Sequence, residues 1–283
     1  MQQAQRREEA GNRNYRAVIF DFNGVLVWDG VLHREAWRQC AQRHLGRVLG
    51  DGEFNSEILG RPNYRVVAYL LGREPTSEES QHIAHEKEAL YRQLWRQEAE
   101  PPGFSPGAES LLRGLRACGV PYTIATSSER ANLDFYHAEL NLSRWFAPED
   151  IVYQDGSFPG KPSPDIYMRA AERLGVPPAE CVVIEDAESG VSAARAAGIG
   201  YVVKLGGALP NGMPGTTAAA GSGSNAPKDV GKADGGEGCQ EQSERGEADC
   251  IIRRLDALPL GVLFPGCADG AVSGGADGEP SEG

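Results

Sequence analysis

Strand and helix patterns alternate along the middle of this 283-residue chain. Short apolar runs at 121–126, 151–153, 181–184 and 201–205 are separated by segments whose apolar residues recur at helical spacing. Such alternation is typical of a parallel sheet with helices on both of its faces. The sequence therefore predicts an α/β fold built on a doubly wound parallel sheet.

Another strand of this sheet is predicted near the start of the chain, followed by a long helical segment. Residues 16–22 are apolar on both faces, as expected of a strand that is covered on both sides. Residues 29–104 show helical spacing, and Thr76 and Glu79 have the spacing of a helix capping box. We predict an all-helical insertion after the first strand, ending at the proline- and glycine-rich stretch 101–107.

The segment at 207–247 is rich in Gly, Ser, Ala and acidic residues and has almost no large apolar residue, so it cannot form a core of its own. We predict the following parts: a disordered tail (1–14), core (15–28), helical insertion (29–104), core (105–206), a disordered insertion (207–247), the last core strand and helix (248–264), and a disordered tail (265–283).

Composition narrows the class of partners and the compartment. The net charge of −12 disfavours binding to nucleic acid or anionic lipid. No signal-peptide core and no run of about 18 apolar residues is visible, so we expect a cytoplasmic protein without a membrane segment.

The six cysteines form no C-x-x-C pair, which favours reduced thiols over a zinc or redox motif. We expect a monomer.

Polar residues follow the predicted strands at the points where ligands bind in open α/β sheets, beyond the carboxyl ends. These residues are Asp21 and Asn23 after the first strand, Thr126 and Ser127 after the second, Lys161 before a helix, and Glu185 and Asp186 after the strand at 181–184. A carboxylate nucleophile, a cation with hydroxyls at a helix start, and an acidic pair that can hold Mg²⁺ suit phosphoryl transfer.

Each of these residues also has a simpler interpretation. Asn23 and Gly24 could be the turn of a β-hairpin. Thr126 and Ser127 could cap a helix, and acidic residues before a helix could complement its dipole. A lysine before a proline could be an ordinary surface residue. The four groups together, in this order, favour the catalytic interpretation.

The stretches DFNGVLV, ATSSE, GKPSPDIY and VIEDAESGVSAARAAG resemble, in this order, the four motifs of the haloacid dehalogenase superfamily. The helical segment after the first motif resembles the cap of the β-phosphoglucomutase-like branch. The resemblance covers residues 16 to about 264 apart from the predicted disordered insertion. It implies a phosphatase or mutase that acts on a small phosphorylated metabolite, and a β-hairpin flap after the first motif.

Carried over residue by residue, the resemblance makes Asp21 the nucleophile that forms an aspartyl-phosphate. Thr126, with Ser127 beside it, would bind the phosphate, and Lys161 would neutralise it. His33 resembles the histidine at the cap entry, which helps couple cap closure to chemistry.

The resemblance also implies a Mg²⁺ site. Its ligands would be Asp21, the backbone carbonyl of Asn23, Glu185 and Asp186. Because the ligand at position 23 is a backbone atom, metal binding does not depend on the side chain at that position.

Asn23 departs from the family pattern. The first motif is usually D-x-D, and the second Asp serves as general acid and then as general base. An amide cannot exchange protons at neutral pH, and the loss of a positioned acid or base typically costs roughly 10²- to 10⁴-fold in rate. We therefore expect a Mg²⁺-dependent phosphatase-like hydrolase that is slow. The alternatives are a phosphometabolite-binding or regulatory module and a sugar-phosphate mutase, and the missing acid weakens the mutase alternative.

Overall fold

The computed structural model describes residues 15–206, 248–265 and 267. The disorder predicted for 1–14 and 207–247 concerns segments outside the described residues, and so does almost all of the predicted tail at 265–283.

Six strands form one parallel sheet in the described part of the chain, with the order β3-β2-β1-β4-β5-β6. The strands are β1 (Ala17–Phe20), β2 (Tyr122–Thr126), β3 (Val152–Tyr153), β4 (Cys181–Glu185), β5 (Tyr201–Leu205) and β6 (Cys250–Ile252). The predicted fold class is confirmed. The central strand β1 pairs with β2 on one side and β4 on the other, which brings the ends of these three strands together.

Helices connect the strands and make up the insertion. The helices are α1 (Gly30–Leu45), α2 (Asp51–Glu53), α3 (Asn63–Leu71), α4 (Ser77–Gln97), α5 (Ala108–Ala117), α6 (Arg130–Leu140), α7 (Asp165–Leu174), α8 (Glu188–Ala196) and α9 (Leu260–Leu263). None of the helices in this described part has the length and apolarity needed to cross a bilayer.

Strand β1 is buried because helices cover both faces of the sheet. Its side chains alternate in direction, so Val18 and Phe20 join one hydrophobic cluster while Ala17 and Ile19 join the cluster on the opposite face. The continuous apolar run that predicted a doubly covered strand therefore reflects two separate cores.

The insertion between β1 and α5 is helical and has a core of its own. Its apolar side chains come from α1, α3, α4 and a π-helical turn at Phe54–Ile58, which the sequence did not predict. The Thr76 side chain accepts a hydrogen bond from the Glu79 backbone N–H, so the capping residue predicted for α4 is confirmed.

The hairpin interpretation of Asn23 and Gly24 is wrong, because within the described residues both strands that pair with β1 are parallel to it. The chain instead makes a compact turn, in which Gly24 donates its N–H to the Val27 carbonyl at 2.7 Å and has a φ of 88°. A positive φ at this position favours glycine. The turn brings the chain from the end of β1 into the insertion. Two isolated bridges stand in place of the expected hairpin flap, a parallel one between Asn23 and Val27 and an antiparallel one between Val27 and Phe104.

The expectation of reduced thiols is wrong for three of the cysteines. Cys118, at the end of α5, forms a disulfide bond with Cys267, and Cys250 is also disulfide-bonded. Cys40 and Cys181 are buried free thiols. Cys118 and Cys267 are 149 residues apart, so no cysteine spacing in the sequence predicts this bond.

Replacing both Cys118 and Cys267 with alanine is expected to lower the free energy of unfolding by about 2–4 kcal/mol, because the bond closes a long loop of the unfolded chain. Denaturant titration measures the difference. In dithiothreitol the double variant and the wild type should have similar stability. A double variant as stable as the oxidised wild type would show that the bond contributes nothing.

Candidate active site

Six of the eight site residues predicted from the sequence line one pocket at the ends of the three central strands, whereas Lys161 and Glu185 are buried and do not line it. Asp21 follows β1, Thr126 ends β2, and Glu185 ends β4. Asp21, Asn23, Thr126, Ser127, Asp186 and His33 line this pocket. The strand register explains why these residues lie together. Phe20 pairs with Ile124 on one side and with Ile184 on the other, so the three strands end at the same level of the sheet.

Lys161 lies at the centre of the charged groups. Its Nζ is 2.6 Å from Asp21 Oδ1 and 2.5 Å from Glu185 Oε1, and it also donates to the Ala125 carbonyl at 3.3 Å. The side chain is 1% exposed, so this ammonium is held almost entirely by protein atoms. Lys161 thus connects the ends of β1, β2 and β4.

Glu185 is fully buried and uses both of its oxygens. Oε1 accepts from Lys161 and from the Tyr167 hydroxyl at 2.6 Å. Oε2 accepts from the backbone N–H groups of Asp186 and Ala187 at 3.0 and 3.1 Å. These four bonds fix the carboxylate in place, which in turn positions Lys161.

The pKa values of Asp21, Asp186 and Lys161 are shifted from their ordinary values. Burial raises the pKa of Asp21 to about 7; Lys161 opposes this rise and Glu185 adds to it. Burial, with Glu185 and Asp21 nearby, raises the pKa of Asp186 well above its usual range. For Lys161 burial opposes the charge, but the carboxylates of Asp21 and Glu185 outweigh it and raise the pKa. Burial is the main cause of the rise for the two carboxyl groups, and the neighbouring carboxylates add to it, whereas opposite charges cause the rise for Lys161.

An acidic cluster able to hold a metal ion is formed by Asp21, Glu185 and Asp186, whose carboxylate oxygens lie within 4.8 Å of one another. Glycines make room for it. A Cβ at Gly24 would lie 2.1 Å from Asp186 Oδ2, and one at Gly190 would lie 1.7 Å from Glu185 Oε1. Three carboxylates facing one ammonium leave negative charge that a cation would compensate.

The hydroxyl groups of the second motif are divided between partners. Thr126 Oγ1 accepts the Ser128 N–H at 3.1 Å, and Ser127 Oγ donates to the Gly60 carbonyl of the insertion at 3.1 Å. Both residues also line the pocket. The hydrogen bond that Thr126 makes within the turn therefore does not prevent either residue from facing a ligand.

The Asn23 amide belongs to a closed ring of hydrogen bonds. Its Nδ2 donates to Asp29 Oδ2 at 2.7 Å and to the Tyr136 hydroxyl at 2.9 Å. Tyr136 donates to the Tyr91 hydroxyl at 3.1 Å, and Tyr91 donates to the same Asp29 oxygen at 2.5 Å. Ser128 Oγ donates to Asn23 Oδ1 at 2.8 Å. We call Asn23, Asp29, Tyr91 and Tyr136 the Asn23 ring.

His33 lies between the Asn23 ring and a buried ion pair. Its Nδ1 is 2.8 Å from Lys87 Nζ, and Lys87 also contacts Glu88 Oε1 at 2.8 Å. The imidazole stacks on Tyr91 with 3.9 Å between ring centroids, and its buried Nε2 makes no hydrogen bond among the described residues but lies 3.4 Å from Asp29 Oδ2. His33 therefore faces the pocket from the insertion.

Sequence reasoning missed Asp29, Lys87, Glu88 and the tyrosines of the Asn23 ring as site residues. Two features of the sequence could have indicated Asp29 and Lys87. Asp29 and His33 are four residues apart, one turn of a helix. Lys87 lies midway between Ile83 and Tyr91 at four-residue spacing, so a charge stands on the apolar stripe of α4. A charged residue in such a stripe requires a buried partner.

Comparison with known proteins identifies the family. The sequence profile of the haloacid dehalogenase-like hydrolases matches residues 15–198, which is more than half of the chain. The chain belongs to this family.

The relatives include two kinds of enzyme. Fructose-1-phosphate phosphatase YqaB of Escherichia coli (strain K12) is 31% identical over 188 residues, covering 66% of this chain and 95% of that protein. β-Phosphoglucomutase of Bacillus subtilis (strain 168) is 31% identical over 208 residues, covering 69% of this chain and 85% of that protein. The predicted class, a hydrolase of phosphoric monoesters in this family, is supported by its phosphatase relatives.

A solved structure shows the same fold. The family IA, variant 3 hydrolase from Entamoeba histolytica HM-1:IMSS superposes with a TM-score of 0.60 and 37% sequence identity, covering 67% of this chain and 83% of that chain. The resemblance predicted from the four motifs is confirmed.

Gly190→Ala is expected to lower the free energy of unfolding by about 1–3 kcal/mol, because the new methyl group would overlap the fixed Glu185 carboxylate. Gly52→Ala is the matched control, since a Cβ there meets nothing within 4 Å. Thermal denaturation of both variants measures the difference. Equal melting temperatures would show that Glu185 can move freely.

Glu88→Gln is expected to change the acid dependence of stability. Burial opposes the charge on Glu88, but the Lys87 ammonium and the hydrogen bonds from Lys87 and Asn63 outweigh it, so its pKa falls from 4.5 to about 2. The unfolded chain therefore takes up this proton first as the pH falls. The stabilisation is complete above about pH 4.5 and is lost towards pH 2.

The stability difference between wild type and Glu88→Gln should accordingly shrink by about 3 kcal/mol between pH 5 and 2. Urea titrations at several pH values measure it. A difference that stays constant over this range would contradict a low pKa for Glu88.

Proposed function

We propose that this chain is a Mg²⁺-dependent phosphatase-like hydrolase that acts on a small phosphorylated metabolite through an aspartyl-phosphate on Asp21. The observation that carries the proposal is the placement of Asp21 at a strand end, in a pocket, with the Lys161 ammonium 2.6 Å from its carboxylate. A carboxylate beside a fixed cation can attack phosphorus while the cation neutralises the phosphoryl oxygens.

In the first step, Asp21 Oδ attacks the phosphorus and the bond to the leaving oxygen breaks. Lys161 holds the charge of the transferring group, and Thr126 and Ser127 bind its oxygens at the start of α6. In the second step, water attacks the phosphorus, the bond between phosphorus and the Asp21 oxygen breaks, and Asp21 leaves as the carboxylate. The proton of the water passes to an oxygen of the phosphate, which is released as the hydrogen phosphate.

The acidic cluster fits a Mg²⁺ ion, because carboxylate oxygens are the ligands this ion prefers and the cluster carries uncompensated negative charge. Asp21, Asp186 and the Asn23 backbone carbonyl would hold the ion directly. Glu185, which already accepts four hydrogen bonds, would act by positioning Lys161. When bound, Mg²⁺ reduces the repulsion between the Asp21 carboxylate and an anionic substrate.

The helical insertion would act as a cap over the pocket. Ser127 of the core donates to the Gly60 carbonyl of the insertion, and His33 reaches the pocket from α1. Closure of such a cap would exclude water and bring His33 and the surrounding polar groups against the substrate.

A phosphorylated sugar is the substrate class that the relatives support. They include the fructose-1-phosphate phosphatase, a phosphorylated carbohydrates phosphatase of Thermotoga maritima and a hexitol phosphatase of Escherichia coli. A monomeric, cytoplasmic protein remains our prediction.

Asn23 favours a second candidate, a phosphometabolite-binding or regulatory module. Such a protein would bind the phosphate at the same site without turnover. A mutase, the activity named for one relative, would need a proton donor and acceptor at position 23, and the amide there supplies neither.

The test is Mg²⁺-dependent release of phosphate from sugar phosphates and from an aryl phosphate. We expect turnover by the wild type, and loss of it in Asp21→Asn and in the presence of a chelator. Asp134→Asn, an exposed carboxylate outside the pocket, serves as control and should retain activity. Stabilisation by phosphate without any turnover would favour the binding module. Equal activity of Asp21→Asn and wild type would refute the proposed nucleophile.

A further inference from the structure

We propose that this site accepts phosphoryl donors whose leaving group departs without a proton, namely acyl phosphates, phosphoric anhydrides, and enol or aryl phosphates. The proposal rests on the proposed function and narrows its substrate class. Simple alkyl phosphates must be protonated as they leave, so they would be turned over slowly. This includes the phosphates of sugar hydroxyl groups on which the relatives act, so the best substrate would differ from theirs.

The first observation is that the side chain at position 23 has no hydrogen to give. Both hydrogens of the Asn23 amide are donated, to Asp29 and to Tyr136. Its oxygen accepts from Ser128 Oγ. The amide is therefore fixed as a structural partner of a buried carboxylate, and it neither donates to a leaving oxygen nor exchanges a proton with it.

The second observation concerns His33, the pocket residue best suited to replace an acid. Lys87 has only hydrogens to donate, so the 2.8 Å contact makes His33 Nδ1 the acceptor and places the proton of the neutral ring on Nε2. A second proton on Nδ1 would point at the ammonium of Lys87. The buried Nε2 lies 3.4 Å from Asp29 Oδ2, outside the pocket lining, so neither ring nitrogen offers a proton to a leaving oxygen.

Glu88 and Lys87, which also line the pocket, are bound to partners. Glu88 Oε1 accepts from Lys87 and Asn63, and Oε2 accepts from Asn132 at 2.6 Å. Asp29 is fully buried beneath Asn23 and does not line the pocket. Apart from Asp21 and Asp186 of the acidic cluster, the described lining residues include no carboxyl group free to protonate a leaving oxygen.

Because no residue of the site protonates the leaving oxygen, the leaving group must depart as an anion. Asp21 attacks phosphorus, the bond between phosphorus and the leaving oxygen breaks, and that oxygen keeps the electron pair. A carboxylate, a phosphate, an enolate or a phenolate is stable as the resulting anion, whereas an alkoxide is not. A positioned general acid contributes roughly 10²- to 10⁴-fold, and the benefit is largest for the most basic leaving group.

The experiment uses four probes of similar size: benzoyl phosphate, p-nitrophenyl phosphate, phenyl phosphate and benzyl phosphate. Their leaving groups become steadily more basic in this order. For the wild-type protein with Mg²⁺ we expect kcat/KM to fall along the series, with roughly 10²-fold or more between benzoyl and benzyl phosphate.

A double exchange, Asn23→Asp with Asp29→Asn, tests the cause. It keeps one carboxylate and one amide in contact and leaves the net charge unchanged, but it moves the carboxyl group into the pocket. We expect benzyl phosphate to gain roughly 10²-fold relative to benzoyl phosphate in this variant. Asp29→Asn alone and Asn55→Asp, at an exposed position outside the pocket, should keep the steep wild-type dependence.

The outcomes separate this inference from the proposed function. Hydrolysis of benzyl phosphate by the wild type within about tenfold of benzoyl phosphate would overturn the inference and leave the phosphatase in place. Failure of all four probes to transfer a phosphoryl group would overturn both. A steep wild-type series supports the inference even if the double variant does not fold, and a folded double variant with an unchanged series overturns it.

Discussion

The contact of Lys161 with Asp21 and Glu185 is the interaction on which the site depends. Three carboxyl groups lie at the ends of two adjacent strands, and in a buried position their repulsion would be large without a cation among them. Lys161 supplies that cation from the loop before α7, and Tyr167 and two backbone N–H groups hold Glu185 in place. The register of the central strands thus determines which carboxyl groups meet, and Lys161 compensates their charge.

A second arrangement links the first motif to the helical insertion. Tyr136 belongs to α6 of the core, Tyr91 belongs to α4 of the insertion, and both share the Asn23 ring. The same two helices are joined by Asn132 with Glu88 and by Arg96 with Glu139. The identity of residue 23 therefore affects the contact between core and insertion as well as the chemistry beside Asp21.

The sequence was sufficient to predict the parallel sheet, the helical insertion and the grouping of Asp21, Thr126, Lys161 and Glu185, because these follow from periodicity and from strand ends meeting at one edge. The partners of Asn23 could not be predicted, since Tyr91 and Tyr136 lie on helices distant in sequence and resemble ordinary core aromatics. The disulfide between Cys118 and Cys267 was missed for a similar reason: its pairing depends on how the segment that contains Leu255–Ala257 packs against α5.

The hydrogen bond from Asn23 to Asp29 also restricts the order in which this sequence can change. Introducing an aspartate at position 23 first would bury two facing carboxylates, which costs several kcal/mol unless one takes up a proton. Changing Asp29 first leaves two amides, which can still hydrogen-bond to each other. The residue tolerated at position 23 therefore depends on the residue at position 29. A change of Asn23 to aspartate is expected to require an earlier change of Asp29.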